Sequence, residues 1–530
     1  MSRVPEMSPP REIELKLDVP IGNLPRLIAS PLLKGASAFA RKPASLVSVY
    51  FDTDKLKLRQ RGLSLRLRQM GRGHIRQTVK QEHNGNAALF ARSEWEHDIC
   101  TNQPDLDAAR ETGLAPLLNK KLRRNLRPVF ETRVHRKVFQ IHSGNSDIEL
   151  SIDKGTVEAG RESTPLCEVE VELKQGQASD LFKLAKMLAQ EIPVQLAVKS
   201  KADRGYALLT AEKIEPVKAA PVTLAPDADL QSAFQIIARA CLHQLVANQS
   251  LMLAGDAEAL HQMRVALRRL RSAISLFSGI LADSQTNFLK AEFKWITGEL
   301  GPAREFEIFL KRVVKPAADR EHDEPGIALV SQELRHRREQ ALTQARAAVD
   351  GQRFRDLALD TAAWIETGDW TRNADHAAGM PRERPVAAVA RVELRRRWKK
   401  ILKLGKRLDE LDAERRHRLR IQTKKLRYAT EFFSTLFPGN KSTRRRKRLV
   451  ARLEQLQDAL GDLNDIAVNG KLSEQLLDSE ETAGKRRSGR TKKAFAVGRL
   501  SGREEALIAP VLKQAQEAYA ALTKSKPFWD

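Results

Sequence analysis

The stretch REIELKLDVP, residues 11–20, alternates charged and apolar side chains. Read as a strand, it puts Ile13, Leu15 and Leu17 on one face and Glu12, Glu14 and Lys16 on the other, because successive side chains of a strand point to opposite sides. Two carboxylates and an ammonium at every second position fit a solvated outer face. They also fit the wall of a polar cavity that holds a metal and an anion. The same test down the chain bears on the choice. LSLRLRQ (63–69) sets Ser64, Arg66 and Arg68 against three leucines. HIRQTVK (74–80) gives Arg76, Thr78 and Lys80 one face, and SEWEHDI (93–99) does the same for Glu94, Glu96 and Asp98. DIELSIDKG (147–155) lines up Glu149, Ser151 and Asp153, and CEVEVELK (167–174) lines up Glu168, Glu170, Glu172 and Lys174.

An antiparallel sheet with one wet face is common. Like charges sharing a face repel, however, at a cost comparable to ordinary cross-strand pairs. A divalent cation would offset the repulsion among the carboxylates, and a multiply charged phosphate that among Arg66, Arg68 and Lys80. Closing the sheet into a barrel would put both sets in one lumen. Carboxylates without histidine or cysteine ligands suit Mg²⁺ or Mn²⁺, while arginine forks and lysine suit phosphate oxygens. Together they describe metal-dependent phosphoryl transfer. With no Walker-type glycine-rich loop, side chains would hold the phosphates.

The bulk composition sets limits. At 530 residues, two or three domains are expected. A net charge of +25 points to a polyanionic partner: nucleic acid, an anionic membrane surface or polyphosphate. Aromatic content of 5% leaves little for base stacking, which disfavours single-stranded nucleic acid. Cys100, Cys167 and Cys241 lie far apart without a CxxC spacing, which argues against a disulfide framework or zinc site. The first residues lack the apolar core of a signal peptide, and no apolar run approaches the roughly 18 residues of a membrane span. A cytoplasmic protein that does not engage membranes is expected.

The chain changes character near residue 212. Short alternating segments precede it; EKIEPVKAAPVTLAPDADL, with Pro216, Pro221 and Pro226, reads as a linker; long helical periods follow. The expected boundaries are 1–211 for a strand domain, 212–227 for the linker and 228–520 for a helical domain. Residues 366–385 read as a loop between helices, and the charged, glycine-containing segment 479–505 as a mobile break. The helical part repeats itself. HQMRVALRRLRSAISLF (261–277) matches HRLRIQTKKLRYATEFF (417–433) at an offset of 156, and ELGPAREFEIFL (299–310) matches ALGDLNDIAVNG (459–470) with Gly301 opposite Gly461. An internal duplication with repeats at about 228–365 and 386–520 explains both. On a helix His261, Arg264, Arg268 and Arg271 share a face, as do His417, Arg420, Lys424 and Arg427, with Lys425 beside them. Such a stripe fits a solvated basic face; two basic helices facing a common groove would instead bind an extended polyanion, with the histidines donating to phosphate or simply hydrogen-bonding on the helix face.

These residues resemble two known families. Glu12-x-Glu14-x-Lys16 resembles the ExExK signature of the CYTH domain, the triphosphate tunnel metalloenzymes. YFDT (50–53), LRLR (65–68), TVK (78–80), SIDKG (151–155), EVEVE (168–172) and KSKADRGY (199–206) follow in that family's order, over roughly residues 11–210. The resemblance implies an eight-stranded antiparallel β-tunnel that hydrolyses triphosphate compounds or cyclises ATP. It implies metal binding by Glu12 and Glu14, with Asp153, Glu168 and Glu170 on the opposite wall and Glu172 continuing the stripe. Lys16, Arg66, Arg68, Lys80, Arg136 and Lys201 would contact triphosphate, and Glu12, Glu14, Lys16 and Glu170 would be catalytic. Val134 stands where the family usually has a basic residue. The repeated His-x-x-Arg helices resemble the CHAD domain, over about residues 228–520, a family associated with inorganic polyphosphate. The fold expected is therefore α+β and multidomain, a β-tunnel followed by a duplicated helical bundle. The function expected is a Mg²⁺- or Mn²⁺-dependent inorganic triphosphatase yielding pyrophosphate and phosphate. A non-catalytic polyphosphate-targeting protein and a class IV-type adenylate cyclase are the alternatives.

Overall fold

Period-two apolar residues build the strands. β1 (Arg11–Asp18), β2 (Ala44–Asp52), β3 (Leu63–Gln69), β4 (Ile75–Gln81), β5 (Leu89–Ile99), β6 (Arg127–Ser143), β7 (Ser146–Ala159), β8 (Glu162–Gln175) and β9 (Gln195–Leu196) form one antiparallel sheet ordered β5-β4-β3-β2-β6-β7-β8-β1-β9. β1 also pairs with β5, from Arg11 opposite Ser93 to Leu15 opposite Leu89. The first eight strands therefore close into a ring, and β9 adds two residues beside Leu17 and Asp18. Closure removes both sheet edges. The computed structural model describes residues 11–36, 44–70, 74–81, 89–281, 283–321, 324–372, 381–478 and 487–529.

The alternate residues Leu15, Leu17, Leu65, Leu67, Leu150, Ile152, Val169 and Val171 are buried on the outer side of the ring. Three short helices, α1 (Leu24–Ile28), α2 (Pro31–Ala36) and α3 (Lys120–Asn125), and the longer α4 (Ala178–Glu191) and α5 (Lys201–Leu209) belong to this unit. Phe51, Leu63, Leu65, Leu67 and Val79 pack with Leu106, Ala109, Leu114 and Leu122 from the segment after β5.

The second unit is helical: α6 (Leu230–Ala247), α7 (Gln249–Leu253), α8 (Ala257–Leu276), α9 (Ser284–Glu299), α10 (Gly301–Phe309), α11 (Lys315–Ala318) and α12 (Pro325–Asp350). Between α10 and α11 the helix widens to a π-turn at Leu310–Val314. After α13 (Gln352–Thr367) come α14 (Val386–Leu404), α15 (Ala413–Phe432), α16 (Asn440–Asp478) and α17 (Arg487–Thr523). The helix starts of α6 and α14, of α8 and α15, and of α9 and α16 are each 156 residues apart, so the duplication is structural. The aspartates before α6, α8, α9 and α15 each accept a hydrogen bond from the third helical N–H, 2.6–2.8 Å long.

Three features differ from the sequence expectations. Residues 487–505 are helical, not a break, because Ala496, Val497 and Leu500 form a stripe buried against Ile327, Val330, Leu334, Leu472 and Leu476; residues 479–486 lie outside the described residues. The 366–385 stretch begins with the end of α13 and a 3₁₀ turn, Asp369–Thr371, whose Trp370 is buried against Trp364; residues 373–380 lie outside the described ones. Residues 351–372, within and just past the first repeat as drawn from sequence, belong to the β-ring unit, where α13 packs on α4 and Lys186 pairs with Asp360 at 2.6 Å. In the linker stretch, Val222 and Leu224 are buried, and Leu224 N–H donates to Thr435 Oγ1 at 2.9 Å.

Candidate active site and anion groove

In a ring of eight, β3 and β8 lie four strands apart by either route, and so do β4 and β7. Arg66 and Arg68 of β3 are thus carried on the wall opposite Glu168 and Glu170 of β8, and Lys80 of β4 opposite Asp153 of β7. The acidic wall is set by register: Asp153 is paired with Glu168 and Ser151 with Glu170 across β7 and β8, and Lys16 with Glu170 across β1 and β8. Carboxylate oxygens of Asp153, Glu168 and Glu170 all lie within 4.8 Å of one another.

Three cations answer them. Arg136 grips Asp153 through Nε and Nη2, at 2.8 and 2.6 Å, and donates from Nη2 to Glu170 at 2.5 Å. Lys16 Nζ lies 2.5 Å from Glu170 and 3.3 Å from Glu14. Lys201 Nζ meets Asp153 at 2.7 Å, Glu170 at 3.0 Å, and Glu168. Lys201 reaches this wall because it is the first residue of α5, fixed by a capping box in which Ser200 and Asp203 each bond the other's backbone N–H. Burial alone would raise the Glu170 carboxyl, but Lys16, Lys201 and Arg136 outweigh it and hold it well below the usual carboxylate range. Asp153 is lowered in the same way, against burial, by Lys201 and Arg136. For Lys16 and Lys201 burial would lower the ammonium, yet the carboxylates raise both.

The opposite wall is basic with less acid. Lys80 Nζ is 2.5 Å from Glu94, and Arg66 3.5 Å from it. Arg68 donates to Ser48 Oγ at 3.0 Å; burial, then Arg66 and Arg136, push its guanidinium down to about 10. Glu96 and Asp98 are more exposed and pair with Arg76. One end of the unit's interior is aromatic: Tyr50 stacks on Phe130 at 4.5 Å, Phe130 meets Tyr206 of α5 edge-on at 5.0 Å, and Val134 packs in the same cluster. Val134 thus does packing work where the resemblance would have a cation.

Of the acids singled out from sequence, Asp153, Glu168 and Glu170 come together and Glu14 adjoins them through Lys16. Glu172 is opposite Glu14 and Glu149 in register and pairs with Lys174. The side chain of Glu12 lies outside the described residues. The donor set fits a hard divalent cation: it is all oxygen, and Glu168 Oε2 is buried without a hydrogen-bond partner among the described residues. Sequence parity missed Tyr50 and Ser48, which β2 presents to Arg66 and Arg68 in register.

In the helical unit the twin motifs converge. Arg264 Nη1 lies 3.3 Å from where a Cβ would sit on Gly301, and Arg420 Nε 3.9 Å from the same point on Gly461. The motif helix of each copy thus packs the arginine three residues past its histidine over the glycine of that copy's other motif. Arg264 Nη1, Arg268 Nε, Arg304 Nε and Arg420 Nε are buried with no hydrogen-bond partner among the described residues. Burial, Arg268 and, more weakly, Arg304 and Arg420 push Arg264 down to about 10; burial, Arg420 and Arg268 push Lys424 down to about 7. Cations of α8 and α15 therefore face each other. His261 is pushed to about 4 by burial and by Arg304 and Arg268, so at neutral pH it is an uncharged donor or acceptor. His417 Nδ1 is 2.7 Å from Asn464 Oδ1. Arg304, which the motif alignment places opposite Asn464, joins the groove and was legible only from that alignment. Arg427 is taken up by Glu431 and Gln457, at 2.7 and 3.0 Å. Arg271 and Lys425 lie further along the two helices.

Comparison with known proteins follows the same division. The CYTH domain model matches residues 10–206 and the CHAD domain model residues 236–474. Over 202 residues the chain is 30% identical to an inorganic triphosphatase of Haemophilus influenzae; the match takes in 37% of this chain and 55% of that protein, so the chain spans about half the length of that relative. Among solved structures, the CHAD domain from the plant Ricinus communis is similar at 30% identity and a TM-score of 0.49, covering 58% of this chain and 97% of that one. A Hippeastrum adenylyl cyclase homologue with a dominant triphosphatase activity is similar at 19% identity and a TM-score of 0.30, covering 39% and 98%. Among the described residues, no helix is long and apolar enough to cross a membrane.

Proposed function

The chain is made of a CYTH domain followed by a CHAD domain, and from that premise we propose that it is a metal-dependent inorganic triphosphatase whose helical unit binds inorganic polyphosphate. One observation carries the first half: a closed ring sets a buried carboxylate trio, Asp153, Glu168 and Glu170, opposite Arg66, Arg68 and Lys80. Asp153, Glu168 and Glu170, with Glu14 beside them and Glu12 and Glu172 on the same stripes, would hold Mg²⁺ or Mn²⁺. A bound divalent ion neutralises phosphate oxygens and polarises the phosphoryl group under attack.

The protein's own groups do the rest. Arg66, Arg68 and Lys80 bind phosphate oxygens from one wall. Lys16, Arg136 and Lys201, held among the carboxylates, bind them from the other. A triphosphate between the walls has its chain fixed by charge on both sides, which orients the anhydride bond and replaces its water shell with preorganised donors. Tyr50, Phe130 and Tyr206 keep water from one end. No base-recognition motif is visible in the sequence, which favours inorganic triphosphate over a nucleotide. The products are pyrophosphate and phosphate.

The second half rests on the buried guanidinium atoms of Arg264, Arg268, Arg304 and Arg420 that have no hydrogen-bond partner among the described residues. Such groups are costly to desolvate without an anion, and a chain of phosphates supplies oxyanions at regular spacing. Phosphate release from triphosphate, ATP and long-chain polyphosphate, with and without divalent metal, tests the enzymatic reading. Release from none of them would overturn it, and cyclic AMP from ATP would replace it with cyclisation.

A further inference from the structure

The two copies of the motif helix differ at one position in a way that marks a binding site. In one half, Glu431 of α15 sits between two arginines. Its Oε2 accepts from Arg269 of α8 at 2.5 Å, and its Oε1 from Arg427 at 2.7 Å. Arg269 also lies over Phe432, 4.9 Å from the ring centre, and beside the buried Cys241. This node is closed, with two guanidiniums sharing one carboxylate.

The 156-residue offset gives each member its counterpart. Arg269 corresponds to Lys425, Arg427 to Arg271, Cys241 to Arg397, and Glu431 to Ser275. At these four positions the second half has therefore lost the carboxylate and gained one cation. Arg397 is 4% exposed; its Nη2 donates to the Ser275 carbonyl at 3.3 Å, and its Nε lies 3.5 Å from Glu393 Oε2. Lys400 and Arg396 stand nearby, where the first half has Gln244 and Ala240. Glu393, which stands where the first half has Ile237, is shared between Arg397 and Arg396, the latter through two hydrogen bonds of 2.7 and 3.0 Å. Burial, then Arg397, Lys400 and Arg271, lower the Lys425 ammonium. Five cations and one shared carboxylate, Glu393, thus cluster beside the serine that stands where the sister half seats Glu431.

We propose that the Ser275 side of the α8–α15 pair is a second oxyanion site, in which a phosphate group held by Lys425, Arg271 and Arg397 takes the place that the Glu431 carboxylate fills in the other half. Glu431 acts as an internal template for the ligand: an oxyanion of similar reach, presented to a lysine and two arginines. The site lies further along the helices than the groove of Arg264, Arg268, Arg420 and Lys424 and does not depend on the tunnel chemistry. Free orthophosphate and a phosphoryl group of a longer chain share the chemistry it reads.

The test is to supply the missing carboxylate. In the full-length protein, Ser275→Glu should raise the melting temperature in phosphate-free buffer above that of wild type and of Ser275→Ala. It should also lower the number of orthophosphate ions bound per chain by one in equilibrium dialysis, with triphosphate hydrolysis unchanged. The reverse change, Glu431→Ser, should melt lower without phosphate and regain most of the loss when phosphate is added. Displacement of labelled orthophosphate by long-chain polyphosphate identifies a chain phosphoryl as the natural occupant; retention identifies the free ion. A Ser275→Glu protein that binds as much phosphate as wild type and melts no higher than Ser275→Ala overturns the proposal. If that variant fails to fold, a Glu431→Ser loss that phosphate cannot restore does the same.

Discussion

Gly205 of α5 lies flat against the ring of Phe130 in β6, so close that a methyl group added to the glycine would overlap the ring. The contact sets how near α5 comes to the ring of strands, and Lys201 begins the same helix. Gly205→Ala should therefore push α5 outward and draw Lys201 off Asp153, Glu168 and Glu170. The overpacking should cost about 1–3 kcal/mol in urea unfolding, and turnover of triphosphate should fall with it. Wild-type values in both assays would show that the close approach does not position the lysine.

Glu170 is the acid met by Lys16, Arg136 and Lys201 together. Glu170→Gln should keep the fold by circular dichroism and lower triphosphate turnover by about 10²–10³-fold, the scale of removing one preorganised electrostatic group. Turnover within a few-fold of wild type would take Glu170 out of the site.

Acid should loosen the β-ring unit through Asp153 and Glu170. Their folded pKa values lie below the ordinary carboxylate range of about 4. The stability they contribute is thus fully present above that range and is lost as pH falls through their folded values. Lys16 and Lys201, raised in the fold, contribute below their ordinary range and lose that contribution only at strongly alkaline pH. Melting temperature followed from pH 7 down to pH 2 should drop at the acid end, and Asp153→Asn should flatten that limb. A variant with the same acid slope as wild type would contradict the assignment.

Lys424, with its ammonium pushed down to about 7, should make polyphosphate binding pH-sensitive. Affinity should weaken from pH 6 to pH 8 as the charge is lost. Lys424→Arg, which stays charged, should remove most of the trend. The sign for folding is opposite: between about 7 and the unfolded value near 10.4, the unfolded chain binds the extra proton, so stability rises with pH. Parallel pH profiles for the two proteins would place the titrating group elsewhere.

Charge reversal in the groove, Arg268→Glu with Arg420→Glu, should weaken long-chain polyphosphate binding and flatten its dependence on salt, as loss of counterion release does for other polyanions. Filter binding across a salt series reads both. An unchanged slope would move the polyanion off this face.

Much of this was legible in residues 11–175, because strand parity is a strict rule: it assigned Glu14, Lys16, Arg66, Arg68, Lys80, Asp153, Glu168 and Glu170 to one face. Ring closure was not in the pattern, since it rests on the β1–β5 register, which no alternation encodes. Lys201 came from resemblance alone; the S-K-A-D capping box that aims it is local and could have been read. The α17 error arose because Gly498, Gly502 and a dense run of lysine and arginine outweighed the three apolar residues that dock the helix. The Glu431–Ser275 difference was present in the aligned repeats, but without coordinates a glutamate facing a serine carries no meaning. Only the arginines around each gave it one.

Helix α13 finishes the β-ring unit from a point more than a hundred residues downstream of β9. A ribosome making this chain has therefore emitted the whole ring long before the helix that covers α4 exists. At typical synthesis rates that interval is roughly ten to thirty seconds, during which α4 waits on the nascent ring without its cover and Lys186 without Asp360.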